Sequence, residues 1–167
     1  TDYIKRIIGL PGDTVRISDG IILINDQPFK KEKTGIFEDF HRNGYLEKFD
    51  LYKETNDIGE EYLVIDDVSF DGILGANFRE GEYFDLNNTN DYIVPKGHYF
   101  VMGDNREHSS DSRILSQVGF VNEQNLVGKA AMIFLSIKYS NEKIDIFGLQ
   151  FGKYPDKIRF KRIGKFL

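Results

Sequence analysis

The sequence predicts a mainly β fold with antiparallel pairing. Three observations carry that reading: short runs of aromatic and β-branched residues, an Asp-Gly turn between two of them, and weak helical periodicity. Val15 and Ile17 alternate with polar neighbours, and Asp19-Gly20 then leads into Ile21-Ile22-Leu23-Ile24. A two-residue Asp-Gly turn between β-rich runs is the strongest short-range hairpin signal. Residues 62–65, 68–74, 99–102 and 130–137 read as further strands bounded by Gly, Asp or Asn. The best helical candidate is a short piece at 37–49, where Phe37, Phe40, Leu46 and Phe49 have partial three-to-four spacing that Gly44 interrupts. Asn87-Asn88-Thr89-Asn90-Asp91 is a turn-rich break ahead of Tyr92. The expected organisation is therefore a discontinuous core from 1–17 and 92–167, interrupted by a smaller inserted β subdomain at 18–91.

At 167 residues the chain is long enough for a self-sufficient core, burying roughly 70% of its unfolded surface. Its 40% apolar share, with 14 Phe and 9 Tyr, excludes disorder as the main state. The 22 basic and 27 acidic side chains leave a net charge of -5, which argues against nucleic acid as a partner. The tail is the exception: Lys153, Lys157, Arg159, Lys161, Arg162 and Lys165 face a single acid, Asp156, among Phe147, Leu149, Phe151, Phe160, Phe166 and Leu167. That end is expected to favour an anionic membrane phospholipid surface. Without Cys there are no disulfides, no thiol catalysis and no cysteine-ligated metal.

No pair of His has metal-ligand spacing, and Gly9-Leu10-Pro11-Gly12 matches neither the dinucleotide nor the P-loop pattern, so neither metal nor cofactor is expected. The longest apolar run, 130–137 with Ser136 inside it, falls far short of the ~20 residues of a membrane helix. Thr1-Asp2-Tyr3-Ile4-Lys5 lacks the charged-then-apolar layout of a signal peptide. The chain is expected to be soluble as it stands and to be a fragment.

Two motifs carry chemistry. The first, Tyr3-Ile4-Lys5-Arg6-Ile7-Ile8-Gly9-Leu10-Pro11-Gly12-Asp13, sets a lysine in a β-branched stretch ahead of a turn. On a strand, Tyr3, Lys5 and Ile7 share one face and Ile4, Arg6 and Ile8 the other. A lysine held among apolar groups loses solvation of its charged form, and its neutral amine can then serve as a general base near pH 7. Most lysines are exposed, so a surface lysine on a half-exposed strand is the plain alternative.

The second motif, Gly103-Asp104-Asn105-Arg106-Glu107-His108-Ser109-Ser110-Asp111-Ser112-Arg113, follows a predicted strand. Its alternating acids and arginines suit a loop pinned by ion pairs, and such loops commonly bear catalytic groups. A solvated polar loop has the same composition. His108 beside Ser109 argues against a Ser-His-Asp triad with Asp104 or Asp111, because adjacent residues point apart whereas triad partners must meet.

Together and in this order, the two motifs resemble bacterial type I signal peptidase, a family of membrane-anchored serine proteases that remove signal peptides from exported proteins. Gly119-Phe120-Val121, Leu126-Val127-Gly128-Lys129-Ala130 and Ile158-Arg159-Phe160-Lys161-Arg162-Ile163-Gly164 add to the resemblance, while 29–92 matches nothing nameable and corresponds to the family's variable β insertion. The resemblance implies an antiparallel β core of the signal-peptidase type and a Ser/Lys dyad. Lys5 would be the general base, and Ser109 the hydroxyl that orients it. Asp111 and Arg113 would form a supporting ion pair, Gly103 would permit close backbone approach, and Asp104, Asn105, Arg106 and Ser112 would be structural, with Arg6 pairing to Asp104.

The substrates implied are preprotein signal peptides cut after small residues, with Tyr3 and Ile4 near the pockets. The expected site is the extracytoplasmic side of the bacterial inner membrane. The family's nucleophile lies in a Ser-x-Met-x-Pro segment upstream of the lysine, and no such segment occurs here, so nucleophile and anchor are expected to be absent from this chain. Two other readings stand beside this one: a non-catalytic β binding module derived from a peptidase, and a self-cleaving repressor-type Ser/Lys peptidase. The second usually carries a basic helical DNA-binding domain, which has no counterpart here.

Overall fold

The computed structural model describes residues 2–40, 46–66, 85–106 and 108–131, together with strands at 137–139, 144–146, 149–151 and 155–158. It divides into two compact units. The first comprises Thr1–Phe37 and Phe49–Val127, the second Glu38–Lys48 and Gly128–Leu167.

In the first unit the chain opens with β1 (Arg6–Gly9), β2 (Thr14–Ser18), β3 (Ile21–Ile24) and β4 (Gln27–Pro28). The expected hairpin joins β2 to β3, pairing Ser18 with Ile21 and Val15 with Ile24. Asp19 and Gly20 take φ of 48° and 70°, the left-handed pair whose twist matches that of the flanking strands. The alternation seen in sequence becomes burial: Val15, Ile17, Ile22 and Ile24 are all buried, while Ile21 faces solvent. A second tight turn, Asn25-Asp26, also left-handed, folds β4 back on β3, and β8 (Tyr92–Ile93) closes the sheet in the order β4-β3-β2-β8.

A second sheet has the order β1-β9-β10, with β9 at His98–Met102 and β10 at Val121–Asn122. Its inward side chains join those of the first sheet, with Phe29 and Val94 from the adjoining segments, in one cluster: Ile8, Val15, Ile17, Ile22, Ile24, Phe29, Val94, Phe100 and Met102. Burying a large apolar side chain of this kind stabilises the fold by about 1.5–3 kcal/mol.

The third sheet, β5-β6-β7, comprises Lys30–Phe40, Leu46–Thr55 and Glu61–Asp66. It corrects the helical reading of 37–49: on either side of 41–45, which lie outside the described residues, the backbone is strand. The three-to-four spacing there is too sparse to outweigh cross-strand support, and the strand continues past Phe49 into antiparallel pairing with β7 from Asp50↔Asp66 to Thr55↔Glu61. The strand expected at 68–74 lies outside the described residues, as does most of 130–137.

In the second unit, β11 (Ile137–Tyr139) pairs with β14 (Pro155–Ile158), and β12 (Ile144–Ile146) with β13 (Leu149–Phe151), both antiparallel. The basic residues of the tail and their aromatic neighbours belong to this unit, and their side chains lie outside the described residues. Among the described residues no helix is long and apolar enough to cross a membrane.

Candidate active site

The two motifs meet because β1 and β9 are antiparallel neighbours, with Arg6 opposite Met102. Lys5, one residue ahead of β1, therefore lies beside the point where β9 runs out into the loop beginning at Gly103. Its Nζ donates to Ser109 Oγ at 2.6 Å. Ser109 is buried and Lys5 half-buried.

The apolar flank expected around Lys5 is not formed. Tyr3 is 78% exposed and Ile4 86%, and Ile7 faces solvent as well. The physical reason is that β1 starts only at Arg6, so no sheet pairing imposes a strand face on residues 3–5. Lys5 is confined instead by the loop. A Cβ built on Gly103 would overlap the Ser109 hydroxyl, lie 2.6 Å from Ser109 Cβ and come within 3.3 Å of Lys5 Nζ. Any residue larger than glycine would thus occupy the space the pair needs.

The rest of the loop is a lattice of charge-assisted bonds. Asp111 and Arg113 form a fork, Arg113 Nε to Oδ1 and Nη2 to Oδ2, each at 2.9 Å, with both side chains almost fully buried. The Gly103 N–H donates to Asp111 Oδ2 at 3.0 Å, so this carboxylate also fixes the residue beneath Ser109. Burial pushes the Asp111 carboxyl up, but the Arg113 guanidinium, the Gly103 N–H and the Ser109 hydroxyl outweigh it and hold it below the usual carboxylate value. Ser112 ties the loop to β9, its Oγ accepting from the Val101 N–H at 2.9 Å and its N–H donating to the Val101 carbonyl. Arg6 and Asp104 form a two-pronged pair at 2.9 and 3.0 Å, half-exposed, with the Arg6 guanidinium 3.6 Å over the Tyr62 ring. Asn105 Oδ1 accepts from the His108 N–H, and the His108 ring meets the edge of Phe49 rather than joining Ser109 in a triad.

Arg106 is anchored from outside the motif. Its Nη1 and Nη2 donate to the two carboxylate oxygens of Glu54, both at 2.6 Å, and its Nε donates to the Gly103 carbonyl at 3.2 Å. Burial opposes the charge on Arg106, and Glu54 more than offsets this, leaving its pKa above the ordinary value. Sequence reading missed Glu54, Tyr62, Ile65 and Tyr92. Ile65 clasps the loop through main-chain bonds to Asp104 and Arg106, and the Tyr92 hydroxyl donates to the Arg113 carbonyl. Only the acidic identity of Glu54 carried any signal, and nothing local pointed it at Arg106. Among the described residues no group of His and carboxylates is arranged to hold a metal ion.

The two motifs thus close on one partly buried site in which a lysine amine donates to a serine hydroxyl. Comparison with known proteins gives the family: residues 1–135 match signal peptidases, peptidase S26. The chain is 37% identical to signal peptidase I of Rickettsia bellii over 98% of its own length and 53% of that protein's. With signal peptidase I of Rickettsia typhi the identity is 36%, over 98% of this chain and 58% of the relative. A solved signal peptidase I from Enterococcus faecalis is 28% identical over 74% of this chain and 78% of that one, at a TM-score of 0.32. The chain belongs to the signal peptidase family, peptidase S26. It spans little more than half the length of the two Rickettsia relatives.

Proposed function

We propose that this chain carries the general-base side of a Ser/Lys dyad in an endopeptidase that removes signal peptides from exported preproteins. The observation that supports this most is the 2.6 Å bond from Lys5 Nζ to Ser109 Oγ. A carboxylate on Lys5 would hold the proton on the amine, whereas a hydroxyl orients it without that effect. Gly103, Asp104, Asn105, Arg106, Asp111, Ser112, Arg113 and Arg6 act as the supporting set. The same reading keeps 1–17 and 92–167 as the catalytic core and 18–91 as its insertion.

In the reaction, the hydroxyl of a nucleophilic serine outside these residues attacks the scissile carbonyl while Lys5 takes its proton. The tetrahedral adduct then expels the amine of the mature protein, which receives that proton from Lys5. Water, deprotonated by Lys5 in turn, releases the signal peptide from the acyl-enzyme. Small residues precede the cut, as in Ala-x-Ala export signals, and the exposed Tyr3 and Ile4 stand beside Lys5 to meet that segment. The working location is the extracytoplasmic face of the bacterial inner membrane, in contact with its phospholipid. No Ser-x-Met-x-Pro occurs in the chain, so residues 1–167 alone are expected to be inactive.

The test is cleavage of a signal-peptide substrate by the full-length protein. Lys5→Ala is expected to lower kcat by roughly 10²–10⁴, the usual contribution of a general base. Ser109→Ala is expected to lower kcat more than it raises KM. Turnover that survives Lys5→Ala overturns the proposal, and turnover by residues 1–167 alone would place the nucleophile within this chain.

A further inference from the structure

The stretch between the two motifs contributes one fully buried carboxylate to the underside of the site. Glu54 lies on β6, and its two oxygens take both terminal nitrogens of Arg106. That leaves Arg106 Nε as the donor to the Gly103 carbonyl. Gly103 is thereby held from both sides, its N–H by Asp111 and its C=O by Arg106, and its Cα is the surface on which Ser109 Oγ and Lys5 Nζ rest. The backbone of Arg106 is fixed as well: its N–H donates to the Ile65 carbonyl, and its own carbonyl accepts from Arg113 Nη2 at 2.6 Å.

A planar guanidinium in this setting has one orientation that satisfies everything, and Glu54 sets it. With the Glu54 carboxylate gone, the buried cation loses the only carboxylate it is hydrogen-bonded to among the described residues and turns toward any acceptor or water within reach, away from Gly103. The other deeply buried pair of this sheet offers a contrast. Lys31 bonds to Asp66 at 2.5 Å and to the Gly20 carbonyl, in the first hairpin rather than in the loop that holds Ser109.

We propose that Glu54 is a positioning residue for the Lys5–Ser109 pair, acting through Arg106 and the Gly103 carbonyl. The inference rests on the reading of Lys5 and Ser109 as the reactive pair. Glu54 touches neither of them, so its effect falls on the geometry of the reacting groups and hence on kcat rather than on substrate affinity.

The experiment uses the full-length protein and a synthetic signal-peptide substrate. Glu54→Gln is expected to lower kcat roughly tenfold or more while KM changes less than about twofold. Glu54→Leu combined with Arg106→Met replaces the buried pair by apolar groups. It is expected to recover thermal stability and to leave kcat low, because Gly103 still lacks its donor. Arg106→Lys keeps a cation for Glu54 but loses Nε, and reads out the same loss of kcat should Glu54→Gln fail to fold. Lys31→Met breaks the other pair and is expected to lower the melting temperature while sparing kcat. Recovery of kcat in the double variant, or an equal loss in Lys31→Met, overturns the proposal in favour of a purely structural role. If Lys5→Ala abolishes turnover and the Glu54 variants keep full kcat, this inference alone fails; if Lys5→Ala keeps turnover, the reading beneath it fails too.

Discussion

Gly103 and Ser109 are so close that a single added methyl group on the first would overlap the hydroxyl of the second. The contact ties the end of β9 to the loop that follows, and Lys5 Nζ sits within 3.3 Å of the same imagined carbon. Gly103→Ala must therefore move Ser109, Lys5 or both. Overpacking of this kind costs about 1–3 kcal/mol, which the fold can absorb, whereas a displacement of about 1 Å at reacting groups costs about a hundredfold in rate. Thermal melting and substrate cleavage measured on the same full-length variant are expected to separate the two: a modest fall in melting temperature and a loss of kcat of about a hundredfold.

Asp111 and Arg113 are expected to dominate the stability of the loop. Removing one member of a buried pair leaves an uncompensated charge, at about 3–5 kcal/mol, so Arg113→Met should cost more than substitution of a half-exposed residue in the motif such as Asp104. The pH dependence follows from the direction of the Asp111 shift. Its folded value lies below its unfolded one of about 3.9, so its stabilisation is complete above that value and is lost as pH falls through the lowered one. Chemical denaturation followed from pH 6 down to about pH 2 should show the acid loss. Asp111→Asn should be less stable at neutral pH and show a shallower acid slope.

The β class and the first hairpin were legible because they are local: Asp19-Gly20 and the alternation of Val15, Ile17, Ile22 and Ile24 state both the turn and the buried face within a dozen residues. The meeting of Lys5 with Ser109 came from the order of two motifs rather than from any periodicity, since nothing in spacing reveals that β1 pairs with β9. Two things stayed hidden for a common reason. The start of β1 at Arg6 depends on what β9 offers as a partner, and the role of Glu54 depends on a loop more than fifty residues away. The strands at 37–49 were misread as a helix piece because Phe spacing was weighed without its cross-strand partners.

Tyr62 offers a spectroscopic prediction. Burial pushes its hydroxyl up from the usual value of about 10. The nearby Glu54 carboxylate adds to that shift, while Arg106 and Arg6 oppose it. Its folded value lies above its unfolded one, so stability is unaffected below about pH 10 and declines as pH rises beyond it. In an absorbance titration of tyrosinate, Tyr62→Phe should leave the reversible step below about pH 11 unchanged and remove signal only from the alkaline unfolding transition. A variant that loses amplitude in the reversible step would mean that Tyr62 is open to water.

The Arg6–Asp104 pair has the same two-pronged geometry as Asp111–Arg113 but sits at the surface, with side chains 33% and 48% exposed. Water screens such pairs, which contribute about 0–1 kcal/mol, and the stacking of Arg6 on Tyr62 adds about 0.5–1 kcal/mol at an exposed site. Asp104→Asn removes the first contribution and keeps the second; Arg6→Met removes both. Asp104→Asn is therefore expected to cost less than about 1 kcal/mol and Arg6→Met about 1–2 kcal/mol. Raising salt from about 0.1 M to 1 M shortens the screening length from about 10 Å to 3 Å and should erase most of the Asp104 effect. The cost of Arg113→Met should persist, because its charges are out of reach of the ions. Denaturant midpoints for the three variants at both salt concentrations decide the matter: equal salt sensitivity in Asp104→Asn and Arg113→Met would show that burial does not separate the two pairs.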